Sequence, residues 1–116
     1  MVGQGVGMDR GFEERKKKHE DKWALDEELR FKATARRNKL LGRWAAGKMG
    51  LSGEETDAYA RTVVASELQA PGADAAFRKV RDDLNAAGIT LPEAEIHAKI
   101  AELAETARQQ ILNDRV

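Results

Sequence analysis

Between Glu28 and Met49 the chain separates its residues by polarity. Phe31, Ala33, Leu40, Leu41, Trp44, Ala45 and Met49 fall on one broad arc of a helical wheel, and Glu28, Lys32, Arg36, Lys39 and Arg43 form a stripe opposite. A period near 3.6 marks a helix with one face to bury. The pattern predicts a first helix from about Asp21 to Met49, ended by Gly50, Ser52 and Gly53. Within it Glu28 precedes Lys32 in the favourable i,i+4 order, worth roughly 0.2–0.5 kcal/mol.

Three more helices follow by the same reasoning. The second opens with Ser52 as N-cap and Glu55 three residues on, a capping box in which two backbone N–H groups find side-chain acceptors. Its core face is Tyr59, Ala60, Val63, Val64, Glu67 and Leu68. The segment QAPGAD is a loop. Asp74 is placed to cap a short third helix carrying Phe77, Val80 and Leu84, which stops at Gly88 in the left-handed conformation. ITLPE starts the fourth, with Thr90 as cap, Glu93 completing a second capping box, and Pro92 in the first turn, where a missing N–H costs nothing. Ile96, Ile100, Leu103, Ala107 and Ile111 make its buried stripe. No stretch alternates at period two with β-branched residues. Apolar faces joined by short loops must pack on one another, so the expected fold is all-α, an antiparallel four-helix bundle with a long first helix. Leu41, Trp44, Val63, Phe77, Val80, Leu84, Ile100 and Leu103 are expected to be buried together.

Composition adds an asymmetry. The 116 residues are 41% hydrophobic but only 5% aromatic, enough for one domain with a modest core. The segment before Trp23 has little to bury. It is expected to fray or be disordered when free, an arm over residues 1–21 ahead of a helical domain over 22–116. MVGQGVG lacks the apolar middle of a signal peptide and reads as a flexible leader before Met8. Formal charge sums to zero, yet residues 1–50 hold 13 Lys and Arg against 8 Asp and Glu, and residues 51–116 hold 7 against 12. Such a dipole along the sequence marks a partner-binding arm. No cysteine is present, which removes disulfides and thiolate metal sites and points to a reducing compartment. No apolar run approaches the roughly 20 residues of a membrane span, so direct membrane insertion is not expected.

Enzymatic chemistry finds no foothold. His19 and His97 are far apart, neither has a second ligand at i+3 or i+4, and no glycine-rich phosphate loop follows a strand. The acid pairs Glu13-Glu14 and Asp82-Asp83 read as solvated helix surface. RKKKH and ARRNK carry phosphate-compatible charge, but acids interrupt the first run and no exposed aromatic platform accompanies either. In ARRNK, Arg37 is expected to pair with the acidic later helices. Weak ADP or ATP binding on the bundle through Arg36, Arg37 and Lys39 stays open, as do a generic helical adaptor and a nucleic-acid binder; no other cofactor is implied, and the free chain is expected to be a monomer.

The set FEER, HEDKW and DEELRFKATARRNKLLGRWAA, followed by AYARTVVA, FRKVRDDL and a last helix rich in AEL, resembles the zeta-type inhibitor subunit of the alphaproteobacterial F-type ATP synthase. The resemblance runs from about Met8 to the C-terminus and is most specific at RRNKLLGRWAA, the arginine after the glycine excepted. It implies a four-helix protein whose N-terminal arm enters the catalytic head of the synthase between its alpha and beta subunits, near the rotating gamma subunit, and blocks ATP hydrolysis. It further implies a cytoplasmic protein, peripheral to the inner membrane through the synthase and without catalysis of its own. Carried over by position, the arm is Asp9 to about Asp21. Phe12 is its apolar anchor. Glu13 and Glu14 are first-turn acids of the helix formed on binding. Asp9, Arg10, Arg15, Lys16, Lys17, Lys18, His19 and Glu20 supply polar contacts, and Trp23 sits at the junction of arm and bundle.

Overall fold

The computed structural model describes residues 27–71 and 74–114. They form four α-helices in the order α1 Glu27–Lys48, α2 Glu54–Gln69, α3 Ala75–Ala86 and α4 Glu93–Asp114, with no strand among the described residues. The expected all-α class is the observed one.

The chain divides into two units, Met1–Phe31 and Lys32–Val116. Of the first, only the opening of α1 is described. Glu27 and Glu28 put negative charge on its first turn, where the helix dipole favours it, and Arg30 lies 3.8 Å from Glu27. Phe31, expected on the buried arc, is 60% exposed. A helical wheel projects the whole axis onto one circle and hides how far along that axis the packing extends.

In the second unit the helices close on one another in a ring, and the cross-contacts fix their directions. Along α1 and α2, Arg43 meets Asp57 and Arg37 meets Glu67, numbers rising on one helix as they fall on the other. Tyr59 of α2 reaches Asp83 of α3. Phe77 and Arg81 of α3 face His97 and Glu93 of α4, and Arg36 of α1 returns to Gln110 and Asp114 of α4. α1 is therefore antiparallel to α2 and, with Lys99 over Trp44 and Gln110 at Arg36, to α4 as well, the arrangement of an up-down bundle.

Leu41, Ala45, Val63, Ala76, Phe77, Val80, Leu84 and Ile96 form the core, with Trp44, Ile100 and Leu103 packed against its edge. Trp44, Ile100 and Leu103 were expected inside the core and are only partly buried, and two other positions depart further from expectation. Leu68, assigned to the core face of α2, is 58% exposed, because it lies about 140° round the helix from the buried Val63 at 3.6 residues per turn. On α1 the buried positions include Asn38, a polar residue with no exposure, in the middle of the apolar face.

Helix ends show which caps are made. After α1, Leu51 N–H donates to the Ala46 carbonyl at 2.9 Å and Gly50 N–H to that of Gly47 at 3.2 Å, with Gly50 at φ 80°. After α3, Ile89 N–H donates to Leu84 at 2.8 Å and Gly88 N–H to Asn85 at 3.0 Å, with Gly88 at φ 81°. Both are Schellman motifs, and the second ends α3 where the sequence placed its stop. The N-termini are built differently from expectation. The N-cap of α2 is Gly53 rather than Ser52, at φ 60° and without a side-chain cap bond, so backbone reversal at a glycine takes the place of the capping box. Asp74 does hold the N-cap position of α3, but in the left-handed region, and it makes no side-chain cap bond. α4 starts at Glu93, and the Pro92 carbonyl accepts its first bonds from Glu95 and Ile96, which leaves Thr90 two residues short of the cap position.

Candidate functional site

The arm residues named from the sequence, Asp9 through Glu20 and Trp23, lie outside the described residues. The described candidates are the cations of α1, and successive residues of a helix point about 100° apart. Arg36 donates from Nη1 to Gln110 Oε1 at 2.9 Å and from Nη2 to Asp114 Oδ2 at 3.4 Å. Arg37 donates from Nε and Nη2 to Asn38 Oδ1 at 3.0 and 2.9 Å, and the same Nη2 lies 3.8 Å from Glu67 Oε1. Lys39 points elsewhere, into a groove along α2 that it lines together with Arg43 and Arg61. The trio Arg36, Arg37 and Lys39 is thus not brought together. Two of its members tie α1 to neighbouring helices, and the pairing of Arg37 with an acidic later helix is as the sequence suggested.

Asn38 was not singled out by sequence reasoning. Its Oδ1 takes both Arg37 donors while its Nδ2 is buried without a partner. A buried donor of this kind costs roughly 1–3 kcal/mol, so the Arg37 bonds and the packing around Asn38 must outweigh it.

Other polar side chains of the bundle also work between helices. Tyr59 donates to Asp83 Oδ2 at 2.8 Å, and Lys79 Nζ donates to the same oxygen at 2.9 Å. Asp83 is therefore a half-buried hub and not the solvated surface residue expected. Burial first, and then the hydrogen bond to Asp83 and that residue's charge, hold the Tyr59 phenol far above its ordinary pKa of 10.0. The i,i+4 spacing of Lys79 and Asp83 was the one available signal of this cluster. His97 stacks on Phe77 with ring centroids 4.0 Å apart and planes 11° apart, and Arg81 covers the Phe77 ring at 5.4 Å. Trp44 takes Lys48 at 5.7 Å and Lys99 at 5.8 Å from its ring centroid. Among the described residues no group of three or more His, Cys, Asp or Glu is gathered to hold a metal. Chemically, these pairs can clamp helices and present surfaces.

A family model described as ATPase inhibitor subunit zeta matches residues 8–110. No curated protein matches the chain. A protein whose structure was determined by solution NMR is 42% identical, superposes with a TM-score of 0.65, and is aligned over 74% of this chain and 98% of its own. RRNKLLG, within the part that carries the resemblance, sits where Arg37 pairs with Glu67 of α2 and where Gly42 meets Ala60, so some of its residues join α1 to α2. From a match that spans nearly the whole sequence, the chain belongs to the ATPase inhibitor subunit zeta family.

Proposed function

We propose that this protein inhibits ATP hydrolysis by the F-type ATP synthase with its N-terminal residues, Asp9 to about Asp21, and that the helices serve as the body that holds them in place. An inhibitory role at the synthase comes with membership of the family. The division of labour is our reading. The observation that carries it is the extent of the family match, which begins at residue 8 and so takes in the charged segment together with the helices. Among the described residues the core cluster runs from Leu41 to Ile96, and all four helices contribute buried side chains to the body.

In this mechanism the arm enters between the alpha and beta subunits near gamma, and Phe12 anchors it in an apolar recess. Ordering the arm costs roughly 1–2 kcal/mol of backbone entropy per residue, recovered from buried contacts. A helix already formed at α1 lowers the nucleation cost of extending it, and the tethered body raises the arm's effective concentration. A helical rod in the path of gamma stops rotation sterically, so no catalytic residue is needed. Among the described residues no helix is long and apolar enough to cross a membrane, which suits a protein held at the cytoplasmic face by the synthase itself. Nucleic acid fits less well. Among the described residues Arg36, Arg37, Arg43, Lys79, Arg81, Lys99 and Arg108 are each paired with a carboxylate of this chain, which withdraws much of the charge of the helices from a phosphate backbone.

The test is ATP hydrolysis by the cognate synthase with the full chain and with a chain lacking Met1–Glu20. Inhibition by the first and none by the second is expected. A shortened chain that inhibits at the concentrations effective for the full one overturns the proposal and moves the inhibitory surface onto the helices.

A further inference from the structure

We propose that the groove between α1 and α2 is a second docking site, distinct from the arm, for an acidic amphipathic helix of another protein. The groove encloses about 630 Å³ and runs along α2 from Asp57 to Leu68, about 16 Å or three helical turns at 1.5 Å per residue. Its floor is apolar, with Val64 and Leu68 set four residues apart on α2. Leu68 is 58% exposed, one of two large hydrophobic residues so exposed among those described. Leu68 continues the apolar lining made by Ala60, Val64 and Ala65 out to an accessible position in the groove.

Charge selects the partner. Lys39 and Arg43 stand on one wall and Arg61 on the other, and the single acid, Asp57, is shared with Arg43 at 3.5 Å. Lys39 and Arg61 have no carboxylate partner among the described residues, although most cations of the bundle do. Two open cations flanking an apolar strip complement a helix that carries leucine-like residues at i, i+3 or i+4 and i+7 between flanking carboxylates. A second copy of this chain is a poor occupant, since groove against groove sets like charges together. A small anion leaves the strip of Val64 and Leu68 uncovered.

The test uses the full chain, isotope-labelled for amide NMR, and a synthetic helical peptide with leucine at i, i+3 and i+7 flanked by glutamates. Its counterpart with lysine in place of each glutamate is the control. Saturable shifts at Lys39, Arg43, Arg61, Val64 and Leu68 are expected with the acidic peptide alone. Leu68→Ser and Arg61→Glu should each weaken binding about fivefold or more, as loss of an interface anchor does, with the melting temperature showing that both variants stay folded. Several results overturn the proposal: no saturable response, an equal response to the lysine peptide, saturation of the same amides by inorganic phosphate or ADP without a response to the peptide, or self-association of the chain that Leu68→Ser abolishes. The readout involves neither the arm nor the synthase. A chain that binds the peptide yet fails to inhibit hydrolysis therefore keeps the groove and loses the arm mechanism.

Discussion

Gly42 and Ala60 meet backbone to backbone: a Cβ on Gly42 would stand 2.6 Å from the Ala60 Cα and 3.2 Å from Val63 Cγ2. α1 and α2 approach too closely here for a Cβ on Gly42, which explains why a glycine sits inside a helix. Glycine in a helix interior costs about 1 kcal/mol relative to alanine, so the close approach must return more than that.

Substitution separates the two effects. Gly42→Ala should lower stability by about 1–3 kcal/mol despite its better helix propensity, because the obstacle is main chain and cannot swing aside. Gly47 lies on the same helix with nothing within 4 Å of its would-be Cβ, so Gly47→Ala should raise stability by about 0.5–1 kcal/mol. Denaturant midpoints of the two variants measure this, and equal signs would show that the packing at Gly42 is looser than described.

Leu84 and Leu103 give a second contrast. Both were read from the sequence as core, but Leu84 is 1% exposed inside the cluster and Leu103 is packed against its edge. Leu84→Ala should cost about 2–5 kcal/mol, and Leu103→Ala less, because an edge site leaves a smaller cavity. Equal losses would mean that the edge of the bundle is as tightly closed as its centre.

What the sequence disclosed follows from what apolar periodicity measures. It located α2, α3 and α4 and most of the core, since Val63, Phe77, Val80, Leu84 and Ile96 recur at helical spacing and burial of that stripe drives the fold. The glycine stops at Gly50 and Gly88 were legible because a left-handed C-terminal residue is nearly a glycine signature. N-caps were less so. Ser52 and Thr90 have the right chemistry, but α2 is capped at Gly53, with positive φ, and the first bonds of α4 go to the Pro92 carbonyl. Asn38 and Leu68 were illegible for a shared reason: a polar residue inside and an apolar one outside each contradict the pattern, and only neighbours distant in sequence determine them. The trio Arg36, Arg37 and Lys39 looked like one charged patch in sequence and is dispersed around the helix in space.

Tyr59 predicts a dependence on alkaline pH. Its pKa is raised in the folded state above the ordinary 10.0 of the unfolded chain, so the stabilisation it gives is complete below pH 10.0 and is lost as pH rises toward the folded value. Near neutral pH, Tyr59→Phe should cost about 1 kcal/mol, the worth of a net hydrogen bond. Lysines titrate in the same range, near 10.4, so the difference between wild type and variant is the useful quantity. That difference should be constant from pH 6 to about 9 and shrink above about 10, as the unfolded phenol ionises. A difference independent of pH through about 11 would place Tyr59 in water.

The last prediction concerns Phe12 and His19, and it follows from the proposed arm mechanism. If the arm inhibits by lodging in a recess of the catalytic head, its one large apolar residue before Trp23 should dominate its affinity. Burying such a side chain contributes roughly 1.5–3 kcal/mol, whereas an imidazole left in water need contribute nothing. Phe12→Ala should therefore raise the concentration needed for half-inhibition of hydrolysis by about ten- to a hundredfold, and His19→Ala by much less. In the proposed mechanism both act on the synthase and not on the fold, so neither should move the melting temperature. ATP synthesis should be spared by the full chain, because rotation in that direction tends to expel a wedge that hydrolytic rotation drives home. Synthesis and hydrolysis are to be measured on the same vesicles with the same protein. Equal inhibition of both would replace a directional wedge with a simple plug, and a Phe12→Ala variant as potent as the wild type would shift the anchor to the charged residues between Arg15 and Lys18.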